Sequence, residues 1–319
     1  MRSDTHAAQT RVTELSPYQE ANRLVSFAGG LAFLGQDDLR IWDPARASLR
    51  RSFKLDNPRG LGVLSDGSLL CLQAPKDLHG NVRILRVSPK LEESHSQGFV
   101  TYPNIVLARI LPGTLPEDFF VVSPAAGPYS LEKYHIYGPS DVRIEDSVAL
   151  QKDDYRTLIR LPDDRYVVAR ERKLLRIAFP KTEVALDLTA DIGTVYHLAL
   201  GPKPGLIWLG DSRSRLHLIR LEPSTVERTI KPGGDLIYQI SASGPYVAVL
   251  TVANKLGKGS GFGLVVFDSE GIEKWRIALP ELGGLGSRFI AAGPNYVAVT
   301  GGPDESPALF ALDRGQRIQ

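Results

Sequence analysis

Apolar residues fall along this chain in short runs, alternating or continuous, that are rich in β-branched and aromatic side chains. Leu31–Gly35 (LAFLG), Leu39–Asp43 (LRIWD), Asp118–Val122 (DFFVV) and Tyr246–Leu250 (YVAVL) are typical. A period of two sends successive side chains to opposite faces of a strand, whereas apolar residues at helical spacing are hard to find here. The 30 glycines and 22 prolines are spread along the whole length, so they punctuate short elements and do not form one linker. The pattern predicts an all-β chain.

The runs also repeat. One unit of strand, tight turn, strand, loop, strand, polar turn, strand reads Tyr155–Leu188, a second Val195–Ile230 and a third Leu236–Leu279. The turn before the second strand recurs as Ser65–Gly67, Pro162–Asp164, Pro202–Gly205, Ser243–Pro245 and Gly293–Asn295. Each is built from residues that favour turns for separate reasons: Gly supplies positive φ, Pro fixes φ, and Asp and Asn bond their own backbone. First strands near Asn22, Arg59, Asn104, Tyr155, Val195, Leu236 and Ser287 give seven units, a spacing that signals radial repetition. The last unit runs out of chain before a full outer strand. Thr10–Leu15 (TRVTEL) alternates like a strand and is predicted to pair into that unit and close the ring. The expected organisation is a disordered tail over residues 1–9 and a single domain over 10–319.

Two segments carry a family resemblance. Leu39–Phe53 (LRIWDPARASLRRSF) resembles a third strand ending in a WD dipeptide and followed by a fourth strand. Val265–Leu279 (VVFDSEGIEKWRIAL) is similar to the repeat of quinoprotein-type propellers, in which a Gly turn precedes an outer-strand Trp. The resemblance implies a seven-bladed β-propeller of four-stranded antiparallel blades, WD40-like or quinoprotein-like, with Trp275 packing between blades. No Gly-His dipeptide leads each unit, so the WD40 tetrad of His, Ser/Thr, Asp and Trp cannot be assembled.

In such a ring, the loops joining second to third strands share one face with the connections between blades. Four of these loops are enlarged: Ala74–Asn81, Pro124–Glu132, Ala253–Phe262 and Gly301–Pro307. Turns on the opposite face stay at two to five residues. Loops on a rigid scaffold are where binding resides, so this asymmetry marks a contact face. Its candidate residues are Lys76, Asp77 and His79 in the first loop, and Tyr129, Lys133 and Tyr134 in the Tyr-rich stretch Tyr129–Tyr137. Lys255 and Lys258 in the Gly-rich loop complete them with Asp304 and Glu305 in the last. Tyr is favoured at interface hot spots because it buries much area at low entropic cost; Tyr129 and Tyr134 are expected to be exposed. A basic patch of Arg170, Arg172, Lys173, Arg213 and Arg215 spans units four and five, with enough neighbouring Asp and Glu for ordinary surface pairing.

Composition narrows the chemistry. The chain of 319 residues carries 38 Lys+Arg against 36 Asp+Glu, a net charge of +2, which gives no global pull toward nucleic acid or anionic membrane. No window approaches 18 uninterrupted apolar residues, and residues 1–25 contain no apolar signal region. One Cys, Cys71, excludes an internal disulfide framework and a Cys-based zinc site. These features predict a cytoplasmic protein without membrane insertion. Six histidines include no helical pair and no H-E-x-x-H; His197, on a first strand, is the one placed to face a central channel. Gly257–Gly263 (GKGSGFG) lacks P-loop spacing and precedes a strand. First-strand starts mix Asn22, Asn104, Asp235 and Glu281 with Arg59, Tyr155, Thr194 and Ser287, a poor cation cage. No G-x-S-x-G elbow occurs. The expectation is a non-catalytic platform without cofactor or metal, presenting one face to a protein partner within a larger assembly. The alternative is a channel-centred enzyme or small-ligand sensor, such as a metal-dependent lactonase-like hydrolase.

Overall fold

The computed structural model describes residues 23–74, 81–98, 108–123, 130–151, 157–163, 165–170, 172–179, 181–188, 191–255, 259–280, 288–300 and 306–318. Their strands are antiparallel within seven consecutive groups. Blade one holds β1 (Leu24–Phe27), β2 (Gly30–Leu34), β3 (Asp38–Asp43) and β4 (Ser48–Lys54). Blade two holds β5 (Pro58–Val63), β6 (Leu69–Gln73), β7 (Val82–Val87) and β8 (Glu93–Gly98). Blade three follows with β9 (Ala108–Pro112), β10 (Asp118–Ser123), β11 (Ser130–Gly138) and β12 (Asp141–Ala149). Blade four has β13 (Ile159–Arg160), β14 (Tyr166–Arg170), β15 (Lys173–Ala178) and β16 (Lys181–Asp187). Blade five has β17 (Val195–Leu200), β18 (Leu206–Asp211), β19 (Leu216–Leu221) and β20 (Ser224–Ile230). Blade six has β21 (Leu236–Ser243), β22 (Tyr246–Lys255), β23 (Gly259–Phe267) and β24 (Glu273–Leu279), and blade seven β25 (Phe289–Ala292), β26 (Tyr296–Thr300) and β27 (Ala308–Ala311). The first strand of each blade starts within four residues of its expected position.

The first strands of successive blades touch in order, and β25 returns to β1, so the ring is closed with β1, β5, β9, β13, β17, β21 and β25 innermost. Between blades two and three the contact becomes true pairing: β5 and β9 run parallel, Gly60 beside Ala108 and Leu61 beside Arg109. Period-two alternation builds the core. In β6, Leu69 and Cys71 pack toward blade one while Leu70 and Leu72 pack toward blade three. In β18, Ile207 and Leu209 face blade four while Leu206 and Trp208 face blade six. Seven buried clusters result, one between each pair of neighbouring blades, the seventh joining Leu24, Leu31 and Phe33 to Phe289, Ala298 and Leu309 across the closure. Each fully buried Leu, Val or Phe contributes roughly 1.5–3 kcal/mol, so the stability of the ring resides between blades more than within them.

The turns have local causes. Gly67 sits at φ +80°, where its N–H reaches the Leu64 carbonyl at 3.0 Å. A Cβ at this position would lie 2.9 Å from the Ala28 Cβ, so the SDG turn requires glycine both for its dihedral and for its neighbour. Trp275 on β24 does pack between blades, against Phe310 at 6.3 Å between ring centres, and its indole N–H donates to the Leu312 carbonyl at 2.8 Å.

Blade seven meets a fourth segment at its outer edge, supplied by the C-terminal residues. Phe310 bridges Arg317 in antiparallel fashion, and the Ile318 N–H donates to the Leu309 carbonyl at 2.7 Å. The expected closing strand Thr10–Leu15 and the tail 1–9 lie outside the described residues.

Candidate functional site

Strand bounds define two unequal faces. The connections from first to second strands and from third to fourth strands hold two to five residues in every blade, as the turn chemistry predicts. On the other face the connections between blades reach nine residues at 99–107, 150–158 and 280–288, and the loop between β6 and β7 holds eight. Long connections therefore collect on one side of the ring, around the starts of the seven innermost strands.

Several expected contact residues change place. The stretch Tyr129–Tyr137, read as Tyr-rich, is strand β11 from Ser130 onward, with Leu131 packed toward blade four and Tyr134 and Ile136 toward blade two. Tyr134 is fully buried, not exposed: it stacks on Phe119 at 5.3 Å, and its hydroxyl donates to Glu132 Oε2 at 2.6 Å. Lys133 is held in the blade by Glu145 at 2.9 Å and Asp118 at 3.4 Å. Burial works against its charge, yet these two carboxylates raise its pKa above the ordinary lysine value. The same cluster seats His135 Nδ1 2.6 Å from the buried Asp118, and Tyr137 donates to Glu145 at 2.6 Å. The Gly-rich loop is shorter than it reads, since β22 and β23 pair as far as Lys255 opposite Gly259. Lys255 thus lies at the tip of a long hairpin. Lys76, Asp77, His79, Tyr129, Lys258, Asp304 and Glu305 fall outside the described residues.

The basic patch divides between two adjacent turns of the loop-rich face. Arg170, Arg172 and Lys173 flank the turn between β14 and β15, with Lys173 3.5 Å from Asp187. Arg213 and Arg215 lie in the turn after β18, where Arg213 donates to the Asp191 carbonyl at 2.9 Å. Arg215 is structural, because it binds Asp211, which is completely buried, at 2.8 Å. Asp211 also lies 3.1 Å from His217 Nε2 and accepts from the Gly193 N–H at 2.9 Å, while His217 Nδ1 lies 2.9 Å from Thr229 Oγ1. Burial alone would raise the Asp211 carboxyl, but the hydrogen bonds from His217, Gly193 and Arg215 outweigh it and hold the group well below the usual carboxylate range. This knot ties the connection between blades to the following turn, with a histidine drawn from the third strand and not from a Gly-His pair.

The innermost strands form a band of unusual chemistry. Register aligns it: β5, β17 and β21 each carry a one-residue bulge, at Arg59, Tyr196 and Tyr238, so that Gly60, His197 and Gln239 sit at one level. The Arg23 carbonyl accepts from Leu34, which puts Arg23 at that level too, and Arg109 lies beside Leu61, one residue deeper. Among the described residues these seven strands contain Arg59, Arg109, Arg160 and His197 but no carboxylate, with Arg23 and Arg288 immediately preceding β1 and β25. Burial lowers the Arg109 guanidinium to about 10. His197 is pushed down to about 4, by burial first and by the nearby positive Arg109, against a hydrogen bond to the Ile237 backbone that favours its charged form. His197 Nε2 is buried and has no hydrogen-bond partner among the described residues. Arg59 is half-buried and likewise has no hydrogen bond or ion pair among them. Sequence reading treats these arginines singly, because 50 residues separate Arg59 from Arg109; their common position relative to each strand start is the signal that joins them. Of the cation-ligand candidates, Asp235 precedes β21, while Asn22, Asn104 and Glu281 fall outside the described residues. No cluster of three or more potential metal-ligating His, Cys, Asp or Glu side chains occurs among the described residues. No helix is long and apolar enough to cross a membrane.

No protein-family model matches the chain, and no curated protein sequence matches it. Solved structures do. One is a chain in a crystal structure of the mitotic checkpoint complex, at TM-score 0.64 and 11% identity, covering 92% of this chain and 90% of that one. Another is Sqt1 of Saccharomyces cerevisiae, at TM-score 0.58 and 12% identity, covering 93% of this chain and 84% of that one. At such identities the likeness speaks to backbone architecture, and with the closed ring of blades it establishes that this chain folds as a β-propeller.

Proposed function

We propose that the chain is a non-catalytic binding platform, a rigid ring that offers its loop-rich face to a protein partner within a larger assembly. The observation that carries this reading is the one-sided distribution of long connections, because neutral insertions would fall on both faces. The exposed Arg172, Lys173 and Arg213 on two adjacent turns add polar and charged contacts suited to an interface rim. The likeness to a chain of a multi-protein checkpoint complex supports the same reading. Lys76, Asp77, His79, Tyr129, Lys258, Asp304 and Glu305 are proposed contact residues together with Lys255; Tyr134 and Lys133 are not, since blade three already engages them.

The test pairs binding with stability. Shortening the loops over 74–81 and 124–129 should abolish recovery of a partner that the intact ring captures from its native host, at unchanged melting temperature. A partner captured equally by both forms would overturn the reading.

A further inference from the structure

We propose that β8, the outer edge strand of blade two, pairs with an extended segment of a partner protein in which acidic and apolar residues alternate. This goes beyond the loop-face reading and does not depend on it, because β8 lies on the rim of the ring. Three observations lead here. The first is regularity. A bulge interrupts the pairing of the outer strand in blades one, three, four, five and six. Among the four-stranded blades only β7 and β8 run in unbroken register, from Val82 opposite Gly98 to Val87 opposite Glu93. Composition sets β8 apart as well: β4, β12, β16, β20 and β24 each carry Lys or Arg, whereas β8 (ESHSQG) has neither, and no Pro. Bulges, Lys and Pro are the devices that keep an edge from accepting another strand. This edge lacks all of them.

The second is a free hydrogen-bonding ladder. The Ser88 N–H donates to the Glu92 carbonyl at 2.8 Å, which in an antiparallel pair turns the backbone groups of Glu93, His95 and Gln97 outward. The Gln97 N–H donates to the Pro139 carbonyl of blade three at 2.8 Å, so the fold itself caps one end of the edge. Glu93 and His95 are exposed, and their N–H and C=O groups meet no backbone partner among the described residues.

The third is the ground on either side. A groove of about 590 Å³ between blades one and two is lined by Phe53, Lys54, Leu85, Glu93 and His95. Its arginines are engaged, Arg51 with Glu93 at 3.8 Å and Arg83 with Asp56 at 3.6 Å, while Lys54 makes no ion pair among the described residues. An acidic side chain directed to this side meets Lys54. A second groove, of about 390 Å³, lies between the end of β8 and the start of β12 and is lined by Gln97, Gly98, Val142 and the exposed Ile144. An apolar side chain directed there covers Ile144. Successive side chains of an added strand point to opposite sides, so the main chain supplies affinity and the two grooves read an alternating pattern. A second copy of β8 fits less well: antiparallel self-pairing about His95 sets Glu93 against Gln97, whose N–H is already taken.

The experiment is fluorescence anisotropy of the full chain with a labelled, end-capped peptide Val-Glu-Val-Glu-Val-Glu-Val. Beside it run the same residues in blocks, the Lys counterpart, and a fully N-methylated analogue. Saturable binding of the alternating acidic peptide, about tenfold or more tighter than the other three, is expected. His95→Pro removes an outward N–H that the ladder to β7 does not use, so it should weaken binding about tenfold or more with the unliganded melting temperature preserved. Lys54→Glu, at an exposed side chain, is the second variant and should shift preference toward the Lys peptide. Amide exchange at His95 should slow when the acidic peptide binds. Absence of saturable binding, equal binding of the block or N-methylated peptide, or affinity indifferent to both variants would each overturn the proposal. So would dimerisation of the free chain that His95→Pro abolishes, since it would assign the edge to a second copy.

Discussion

Two titratable side chains, the half-buried His197 with its buried Nε2 and the fully buried Asp211, shape how this protein responds to acid, and they act in different windows. His197 titrates near 6.5 when unfolded and near 4 when folded, so the unfolded chain holds the extra proton between those values. Its depressed folded value means that stability is complete above about pH 6.5 and is lost as pH falls toward 4, by up to about 3 kcal/mol. Asp211 has the same sign but acts lower: its contribution persists above the ordinary aspartate value and disappears only in stronger acid. Melting temperature measured from about pH 7 to 4.5 should therefore fall, and His197→Gln should flatten that fall while leaving the Asp211 knot intact. A profile unchanged by the substitution would mean that His197 is hydrated in the native ring. Neither role can be read from sequence by composition alone. His217 is recognisable as a strand residue from RLHLIR, but its bond to Asp211 depends on a turn that brings the end of β18 back beside β19.

At the scale of strands and turns, period-two alternation and turn chemistry specify most of what is observed, including the uniform two- to five-residue turns on one face. The misplaced segments share a cause. KYHIY reads as an alternating strand with Tyr134 facing out, because polar residues interrupt it, whereas Tyr134 and Ile136 keep inward phase; a bulge opposite Lys133 and Tyr134 absorbs the irregularity. Gly259–Gly263 (GSGFG) reads as loop because glycine disfavours strands, yet pairing to β22 carries these residues as a hairpin arm. The C-terminal segment was equally hard to foresee, since RGQRIQ has no strand pattern and is held by a turn. Gly315 makes that turn at φ +68°, and a Cβ there would lie 2.6 Å from Trp275 Cδ2. Gly315→Ala should cost about 1–3 kcal/mol and increase amide exchange at Ile318, whose N–H forms the edge bond. Exchange unaltered at that amide would show that the segment is not what seals the edge of blade seven.

For the whole molecule, stability is distributed over seven similar interfaces, but only one of them joins residues from opposite ends of the ring. Phe33 fills that interface at 6.3 Å from Phe289, with Leu31 and Leu309 around it. Phe33→Ala should destabilise by about 3–5 kcal/mol and lower the denaturant midpoint accordingly; a change below about 1 kcal/mol would indicate that the closure is dispensable. Ring geometry also explains why the arginine band escapes a linear reading. Residues that meet around one axis are dispersed along the sequence, and only the topology adds their charges together.

The closing interface imposes an order on synthesis. Leu24, Leu31 and Phe33 are made early, yet the surface that covers them, Phe289 to Leu309, emerges from the ribosome some 250 residues later. Until then blade one presents an oily flank to solvent or to a chaperone, and slow translation of the final blade would prolong that exposure. Synonymous codon changes within residues 288–312 are where nascent-chain aggregation would be most sensitive to ribosome speed.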